Sequence, residues 1–498
     1  MQGDYLKDNY TPDFGIGAIN NRITNVPRNR FLGTSWANGN TRQATASANL
    51  THQLSESWNL DVTGAYQKYK REFQTVERVQ PIENGDWTRP LGKSNTSESY
   101  YTGQINLKGE LKTGFIDHTL LVGADADRYL NTNYTYTETV KGNFEYLDEQ
   151  NIRRPANYDI INILDPSKYS ARADMPVMNP IRVAVTPSNR FGIYINDLMK
   201  ITPKLNVLAG FRWSYQKALA AKTTDLLTNT AIKAEEKDDK AFSPHFGIVY
   251  KPTSFTSFFA SYTNSFSVNS GTDVNGNSLN PSLIDQYEIG VKNDLFKGII
   301  SANFTAYRIV NNNLAQTAPF LADGITPNTN SGLKELTGQT TSEGLEIDLI
   351  GHPFRSLDLV AGYSYNYMRY TNTPDAIGNY IEGQRLVNSP AHTANASAFY
   401  TFNNFYVKGL KLGATTNYIG KRLGGWNNTI GQAQTSSRII PVSDFATVDI
   451  SAGYSFKRMN MLMKVSNLTN TLSYYVHENY SINPIPPRQF AATLSYKF

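Results

Sequence analysis

The sequence predicts an all-β protein, a transmembrane antiparallel β-barrel, and three observations predict it. The first is a period of two. Phe490, Ala492, Leu494, Tyr496 and Phe498 occupy alternate positions, with Gln489, Ala491, Thr493, Ser495 and Lys497 between them. Side chains alternate faces along a strand, so one face is apolar with rings at both ends and the other is polar. A soluble β-sandwich strand has the same alternation. The second observation separates the two: short and long connections alternate along the chain, so the two ends of the strands face different compartments. Outer-membrane barrels put tight turns on the periplasmic side and long loops outside. The third is composition. The 498 residues are 40% hydrophobic yet include 31 Tyr and 24 Phe, and mean hydropathy is −0.43. Lipid-facing strand positions, interfacial rings and wet loops combine to give that balance.

Several classes are excluded. No apolar run approaches the ~20 residues of a spanning helix. Cysteine is absent, so there is no disulfide framework, thiolate metal site or cysteine nucleophile. A net charge of +5 without basic clusters is not a nucleic-acid footprint. Met1-Gln2-Gly3-Asp4-Tyr5 opens in a strand pattern, with no basic or apolar leader. A barrel without an export signal is expected to be a mature fragment or to lack its amino-terminal part.

Taken in order, Asp4 to Tyr10 reads as the end of an outgoing strand, and Thr11 to Asn40 as a long loop. From Thr41 to His52, Ala44, Ala46, Ala48 and Leu50 share one face, and Gln43, Thr45, Ser47, Asn49 and Thr51 the other. After Leu54-Ser55-Glu56-Ser57, the residues Trp58, Leu60, Val62 and Tyr66 again share a face. Further short turns fall at Thr113-Gly114-Phe115, Thr202-Pro203-Lys204, Pro252-Thr253-Ser254, Leu295-Phe296-Lys297, Pro353-Phe354-Arg355, Asn403-Asn404-Phe405 and Lys457-Arg458. Long loops fall near 72–96, 132–187, 220–238, 268–281, 312–335, 372–387, 424–442 and 470–486. Leu205, Val207, Ala209, Phe211, Trp213 and Tyr215 form one face; Tyr287, Ile289 and Val291 alternate with Glu288, Gly290 and Lys292; Leu357, Leu359, Ala361, Tyr363 and Tyr365 alternate with Asp358, Val360, Gly362, Ser364 and Asn366. A cation facing lipid at mid-depth costs ~2–4 kcal/mol, so the charged face points into a wet or plugged lumen. The count is about eighteen strands, in the range of large barrels.

The residues also carry a resemblance. Asp4-Tyr5-Leu6-Lys7-Asp8, Thr11-Pro12-Asp13-Phe14-Gly15, Asn25-Val26-Pro27-Arg28, Phe31-Leu32-Gly33, Pro281-Ser282-Leu283, Gln286-Tyr287-Glu288-Ile289-Gly290-Val291-Lys292, Glu343-Gly344-Leu345-Glu346, Ser389-Pro390-Ala391-His392, Val465-Ser466-Asn467-Leu468-Thr469-Asn470 and Leu494-Ser495-Tyr496-Lys497-Phe498, in this order, resemble TonB-dependent siderophore receptors of the ferrichrome-receptor type. The resemblance implies a barrel of about 22 strands around a plug, in the outer membrane of a Gram-negative bacterium. Residues 1–498 would then be the barrel domain, with about four strands, the plug and the TonB-contacting segment having no counterpart here. It implies energy-coupled uptake of a ferric siderophore by a monomer, with outer-membrane lipid, TonB and, through Phe498, the barrel-assembly machinery as partners. Iron would arrive bound to the siderophore, so no cofactor is needed.

The chemistry-bearing residues agree with a receptor that is not an enzyme. The histidines (His52, His118, His245, His352, His392 and His477) show no ligand spacing. Asp125 and Asp127 share a face, better read as lumen wall than as an acid/base pair, and no nucleophile elbow is present. A bulky chelate is held by rings and hydrogen bonds, with cations where it is anionic. The candidate contacts are Trp36, Phe31, Arg28 and Arg30 in the first loop, Trp87 in the second and Trp426 near Lys421 and Arg422 in a late one. In the resembling receptors the first of these loops lends aromatics to the pocket, which puts Trp36 first. The 132–187 loop, with Phe144, Tyr146, Arg153 and Arg154, suits a lid or vestibule. A passive substrate-specific porin of about eighteen strands is the alternative.

Overall fold

The computed structural model describes residues 1–138, 145–147, 153–155, 158–403, 407–431, 438–478 and 480–497. Among the described residues, twenty strands belong to one sheet. Two of them, Lys222–Asp225 and Ala231–Lys233, are short; the other eighteen form the wall, as the periodicity predicts. In chain order these are β1 Gln2–Tyr10, β2 Asn38–Ser55, β3 Trp58–Val76, β4 Leu91–Thr113, β5 Ile116–Glu138, β6 Met178–Thr202, β7 Leu205–Ala218, β8 Lys237–Tyr250, β9 Thr256–Ser267, β10 Ser282–Leu295, β11 Ile300–Asn312, β12 Gln339–Phe354, β13 Leu357–Thr371, β14 His392–Thr401, β15 Leu410–Ile419, β16 Phe445–Phe456, β17 Met459–Ser466 and β18 Gln489–Tyr496. The chain divides into two compact units, one of Met1–Lys200, Leu208–His245 and Asn479–Ile482, the other of Ile201–Val207, Phe246–Glu478 and Asn483–Phe498.

In the first unit the two faces of the wall are chemically distinct. Leu50, Val62, Ile105, Ala124 and Ile193 are direct partners on successive strands. One position away, Asn49, Thr63, Gln104, Asp125 and Gly192 are partners on the opposite face. Rings extend the apolar row: Phe191 meets Trp213 edge-on at 6.2 Å and Phe211 stacks on Phe242 at 5.6 Å. On the polar face Arg212 donates to both carboxylate oxygens of Asp125, at 2.7 and 2.8 Å, and Arg190 pairs with Asp127 at 3.0 Å. Gly192 makes the first pair possible, because a Cβ there would lie 2.1 Å from the Arg212 guanidinium. Charges paired on one face and aliphatic residues exposed on the other are what a wall between lumen and lipid requires.

The second unit repeats the pattern. Ile289, Ala306, Leu345 and Tyr365 are consecutive partners from β10 to β13. Met461 faces Leu494 and Met459 faces Tyr496 between β17 and β18. Phe498 lies outside the described residues.

The loop boundaries differ from the sequence expectation. β3 runs to Val76 and β4 starts at Leu91, so the loop expected at 72–96 is 77–90. β5 runs to Glu138 and β6 starts at Met178, so the loop expected at 132–187 is 139–177. The outer parts of these strands are rich in Thr, Ser, Asn and Tyr, because lipid no longer selects apolar residues there. The alternation therefore fades while the pairing continues, with Glu72 opposite Asn95 and Asn133 opposite Ala184. Within the third loop Phe144 lies outside the described residues, and Arg154 pairs with Tyr146 in a small hairpin. The 220–238 stretch holds the two short strands, the first of which joins β6 through Arg182–Asp225 and Val185–Lys222.

Candidate functional site

Much of the buried apolar core of the first unit is in its loops. Ile16, Val26 and Leu32 from the first loop, Val79 and Trp87 from the second, Tyr158, Ile160 and Ile163 from the third, and Ile482 are all buried. A two-stranded antiparallel ribbon joins the second and third loops, with Asp86 opposite Asn162, Trp87 opposite Ile161, Thr88 opposite Ile160 and Arg89 opposite Asp159. The 480–482 segment stitches them to the first loop: Ile16 N–H donates to Ile482 O at 2.9 Å and Val79 N–H to Tyr480 O at 3.0 Å. Gly17 sits at φ +68°, and a Cβ there would lie 2.1 Å from the Val79 carbonyl oxygen, a close approach that only glycine allows. The result is a packed platform.

Charge ties the platform together. Arg89 and Asp159 form a buried two-point ion pair, with side chains 3% and 0% exposed. Arg89 also donates to Gly33 O at 3.1 Å, and the Arg172 backbone N–H to Asp159 at 2.9 Å. Tyr158 is the centre of this arrangement. Its hydroxyl donates to Asp174 O at 2.7 Å and accepts the Trp36 indole N–H at 3.0 Å. Its ring takes the edge of Trp36 at 5.6 Å and the guanidiniums of Arg172 and Arg89 at 4.6 and 5.4 Å. Burial raises the Tyr158 pKa, so it stays a neutral donor.

Asp86 is the second anchor. Lys168 donates to both its oxygens at 2.9 Å, Asn162 at 2.7 Å, and Tyr169 and Asn84 at 3.0 Å. Burial opposes its ionisation, but the hydrogen bonds from Lys168, Asn162 and Tyr169 outweigh it and hold the carboxyl below the usual Asp range. A depressed folded pKa contributes stability that is present above the unfolded value, about 3.9, and is lost as pH falls through the folded one. Hydrogen-exchange protection around residues 84–86 and 162–169, corrected for intrinsic rate, should therefore drop below about pH 4. In Asp86→Asn that component should already be missing at pH 7.

The sequence candidates separate in this frame. Trp36 is half-buried at the platform edge through its bond to Tyr158. Arg30 beside it donates to Ile163 O at 3.3 Å, Arg28 is half-buried, and Phe31 is 42% exposed. Trp87 is 2% exposed and packs inside the inter-loop ribbon, so it offers a ligand no ring face. Trp426 belongs to the second unit and is 41% exposed. Beside it Asn427 organises the loops of that unit, donating to Gln384 at 3.1 Å and Arg385 O at 2.8 Å while accepting from Val387 N–H at 3.2 Å. There Tyr370 stacks on Tyr380 at 4.2 Å. Sequence reasoning missed Arg89, Tyr158, Asp159 and Arg172. Arg89 and Asp159 are 70 residues apart and no local pattern links them.

The platform therefore presents ring faces, guanidiniums and hydrogen-bond donors on a fixed frame. Among the described residues no three metal-ligating side chains converge. Such a surface suits a large polar ligand that brings its own chemistry.

A family model described as TonB dependent receptor-like, beta-barrel, matches residues 1–476. A metal-pseudopaline receptor of Pseudomonas aeruginosa is 25% identical over 505 residues, covering 100% of this chain and 65% of the relative. The ferrichrome outer membrane transporter/phage receptor of Escherichia coli is 27% identical over 413 residues, covering 80% and 48%. Among solved structures, the siderophore receptor PiuA from Acinetobacter baumannii aligns with a TM-score of 0.77 at 19% identity, over 99% of this chain and 70% of that one. The ferric-catecholate import receptor Fiu of Escherichia coli aligns with a TM-score of 0.78 at 18% identity, over 100% and 72%. The chain thus spans 65% of the length of the first of these relatives.

Proposed function

Because the chain belongs to the TonB-dependent receptor-like β-barrel family, we propose that it serves energy-coupled uptake of a ferric siderophore or a similar metal chelate. Its place is the outer membrane of a Gram-negative cell. The observation that carries this reading is the packed outer platform, charge-stitched and edged with Trp36 and Phe31, standing on a barrel wall of this family. A passive pore has no need of loops with their own buried core, and the porin alternative has no support in the family match.

The similar receptors are named for pseudopaline, ferrichrome and ferrioxamine B. Those names differ in chelator and agree on a chelated metal, so we assign the class of cargo and no single member. In this reading TonB supplies the energy, the protein is a monomeric receptor and not an enzyme, and the barrel-assembly machinery reads Phe498. Trp36, Phe31, Arg28 and Arg30 supply contacts from the first loop, while Trp87 acts through packing.

Tryptophan fluorescence tests it. Ferric hydroxamates and ferric catecholates are titrated into the purified protein beside their iron-free forms, and at least one ferric form should quench saturably. Trp36→Ala should raise its Kd about fivefold, the weight of one aromatic contact of ~1 kcal/mol. Trp36→Phe, which keeps a ring and loses the bond to Tyr158, should fall between. An unchanged Kd in both removes Trp36 from the site, and absence of quenching by every metal chelate overturns the reading.

A further inference from the structure

Two long loops of the second unit fold together around a cavity that the uptake reading does not use. One is 268–281, between β9 and β10; the other is 313–338, between β11 and β12. The backbone joins them: Thr272 N–H donates to Gly332 O at 3.2 Å and Lys334 N–H to Thr272 O at 2.7 Å. Gly271 sits at φ +90°, and a Cβ there would lie 2.5 Å from the Gly332 carbonyl oxygen, so the approach needs glycine. Within the second loop, residues 315–317 and 334–336 pair as a ribbon, and Asn328 Nδ2 donates to Ala318 O at 2.8 Å. The walls are therefore set by the loops themselves, which lowers the ordering cost of binding.

The cavity is about 470 Å³, a ligand-sized volume. Leu279, Ala318, Pro319, Phe320 and Leu336 give it apolar walls, and Leu279 and Ala318 are buried. Two carboxylates, Asp273 and Glu335, are on the same lining. Asp273 is fixed in its turn: it accepts the Asn277 side-chain amide at 2.9 Å and the Asn277 and Asn275 backbone N–H groups at 2.7 and 2.9 Å. These bonds hold its carboxyl below the usual Asp range, so it stays charged.

Glu335 is the group without an answer. Its Oε1 is buried and has no hydrogen-bond partner among the described residues. Gln316, its partner across the ribbon, has its amide engaged by Gly378 O. Burial pushes the Glu335 carboxyl above the usual Glu range, and no neighbouring cation draws it back. Lys334 is on the same lining, but its Nζ donates to Thr317 Oγ1 at 3.0 Å. Among the described residues neither Asp273 nor Glu335 has a salt-bridge partner. A buried acceptor left unpaired is costly, and native proteins carry few of them. The donor that answers a carboxylate best is a charged one.

We propose that this cavity binds a small amphiphilic amine. Its ammonium donates to Glu335 in the field of Asp273, and its hydrocarbon body rests on Leu279, Ala318, Phe320 and Leu336. A metal cation would use the carboxylates and leave the apolar walls idle; a neutral hydrophobe would cover the walls and leave Glu335 without a donor. Both loops are long connections, which in such barrels are on the outer side, so the amine arrives from outside the cell. The site needs neither iron nor a chelator, so its failure and the failure of the uptake reading are separate results.

Isothermal titration calorimetry of the detergent-solubilised full chain tests it, with phenethylamine, its neutral counterpart phenethyl alcohol and magnesium chloride as probes and matched micelles as the blank. Phenethylamine should bind saturably. Phenethyl alcohol should bind about tenfold more weakly, the weight of one charge-assisted hydrogen bond, and equimolar magnesium should not displace the amine. Glu335→Gln should weaken the amine about tenfold and leave the alcohol unchanged, so that the two bind alike. Phe320→Ala should weaken both about fivefold through the lost wall. Glu382→Gln, an exposed acid in the next long loop, should bind as the parent does, and heat-modifiable gel mobility confirms that each variant is folded. Absence of saturable amine binding, equal binding of the alcohol by the parent, displacement by equimolar magnesium, or a folded Glu335→Gln chain that still prefers the amine would each overturn the proposal.

Discussion

Asp159→Leu should open the outer platform while leaving the barrel wall folded. Asp159 is fully buried, holds the Arg89 guanidinium at two points and accepts the Arg172 backbone N–H at 2.9 Å. Removing it strands a buried guanidinium, a change that costs about 3–5 kcal/mol. The loss concentrates on the elements Arg89 joins, Gly33 in the first loop and the 159–162 edge of the third. Limited proteolysis should cut within 158–177 and near residue 33 in the variant and leave the parent intact at the same protease concentration. Arg89→Met combined with Asp159→Leu should recover much of the protection, since an apolar pair of similar volume substitutes for a buried ion pair at little net cost. Recovery stays incomplete because the Gly33 carbonyl and the Arg172 N–H lose their partners. Digestion of Asp159→Leu at the parental rate would mean that apolar packing around Tyr158 holds the platform alone.

Ile105→Lys should cripple membrane insertion, and Gln104→Lys should not. The residues are neighbours on β4 with opposite surroundings. Ile105 is in the aliphatic row between Val62 and Ala124. Gln104 faces the polar side, where its amide donates to the Tyr194 hydroxyl at 2.7 Å. A lysine at mid-depth in lipid costs ~2–4 kcal/mol, and a lumen-facing one costs far less. The same logic sets Leu494→Lys against Thr493→Lys on β18, at shallower depth. Heat-modifiable mobility and the folded fraction in urea read the difference; equal loss for Ile105→Lys and Gln104→Lys would mean the face assignment is wrong.

The wall was legible because lipid imposes a one-residue rule. Leu50, Val62 and Ile105 are apolar, Asn49, Thr63 and Gln104 are polar, and nothing distant is needed to read that. The strand number and the sorting of turns follow from it. The rule lapses outside the bilayer, which is why the outer parts of β3 to β6 read as loop although their pairing continues. The platform was less legible still. Trp36 and Trp87 have the same side chain in neighbouring loops, yet one is held at an edge by Tyr158 and the other sealed between Ile161 and its surroundings. What separates them is a set of partners about 70 to 120 residues away, which no local period encodes.

Energy coupling is tested most directly by iron uptake into Gram-negative cells in which this protein is the sole receptor of its kind. The cells receive a radioactive ferric chelate that quenches the purified protein, with and without an uncoupler of the proton-motive force. Energy-coupled uptake predicts saturable accumulation that the uncoupler and loss of TonB both abolish. Accumulation that continues unchanged under either condition, rising in proportion to external chelate, would show a passive pore and contradict it.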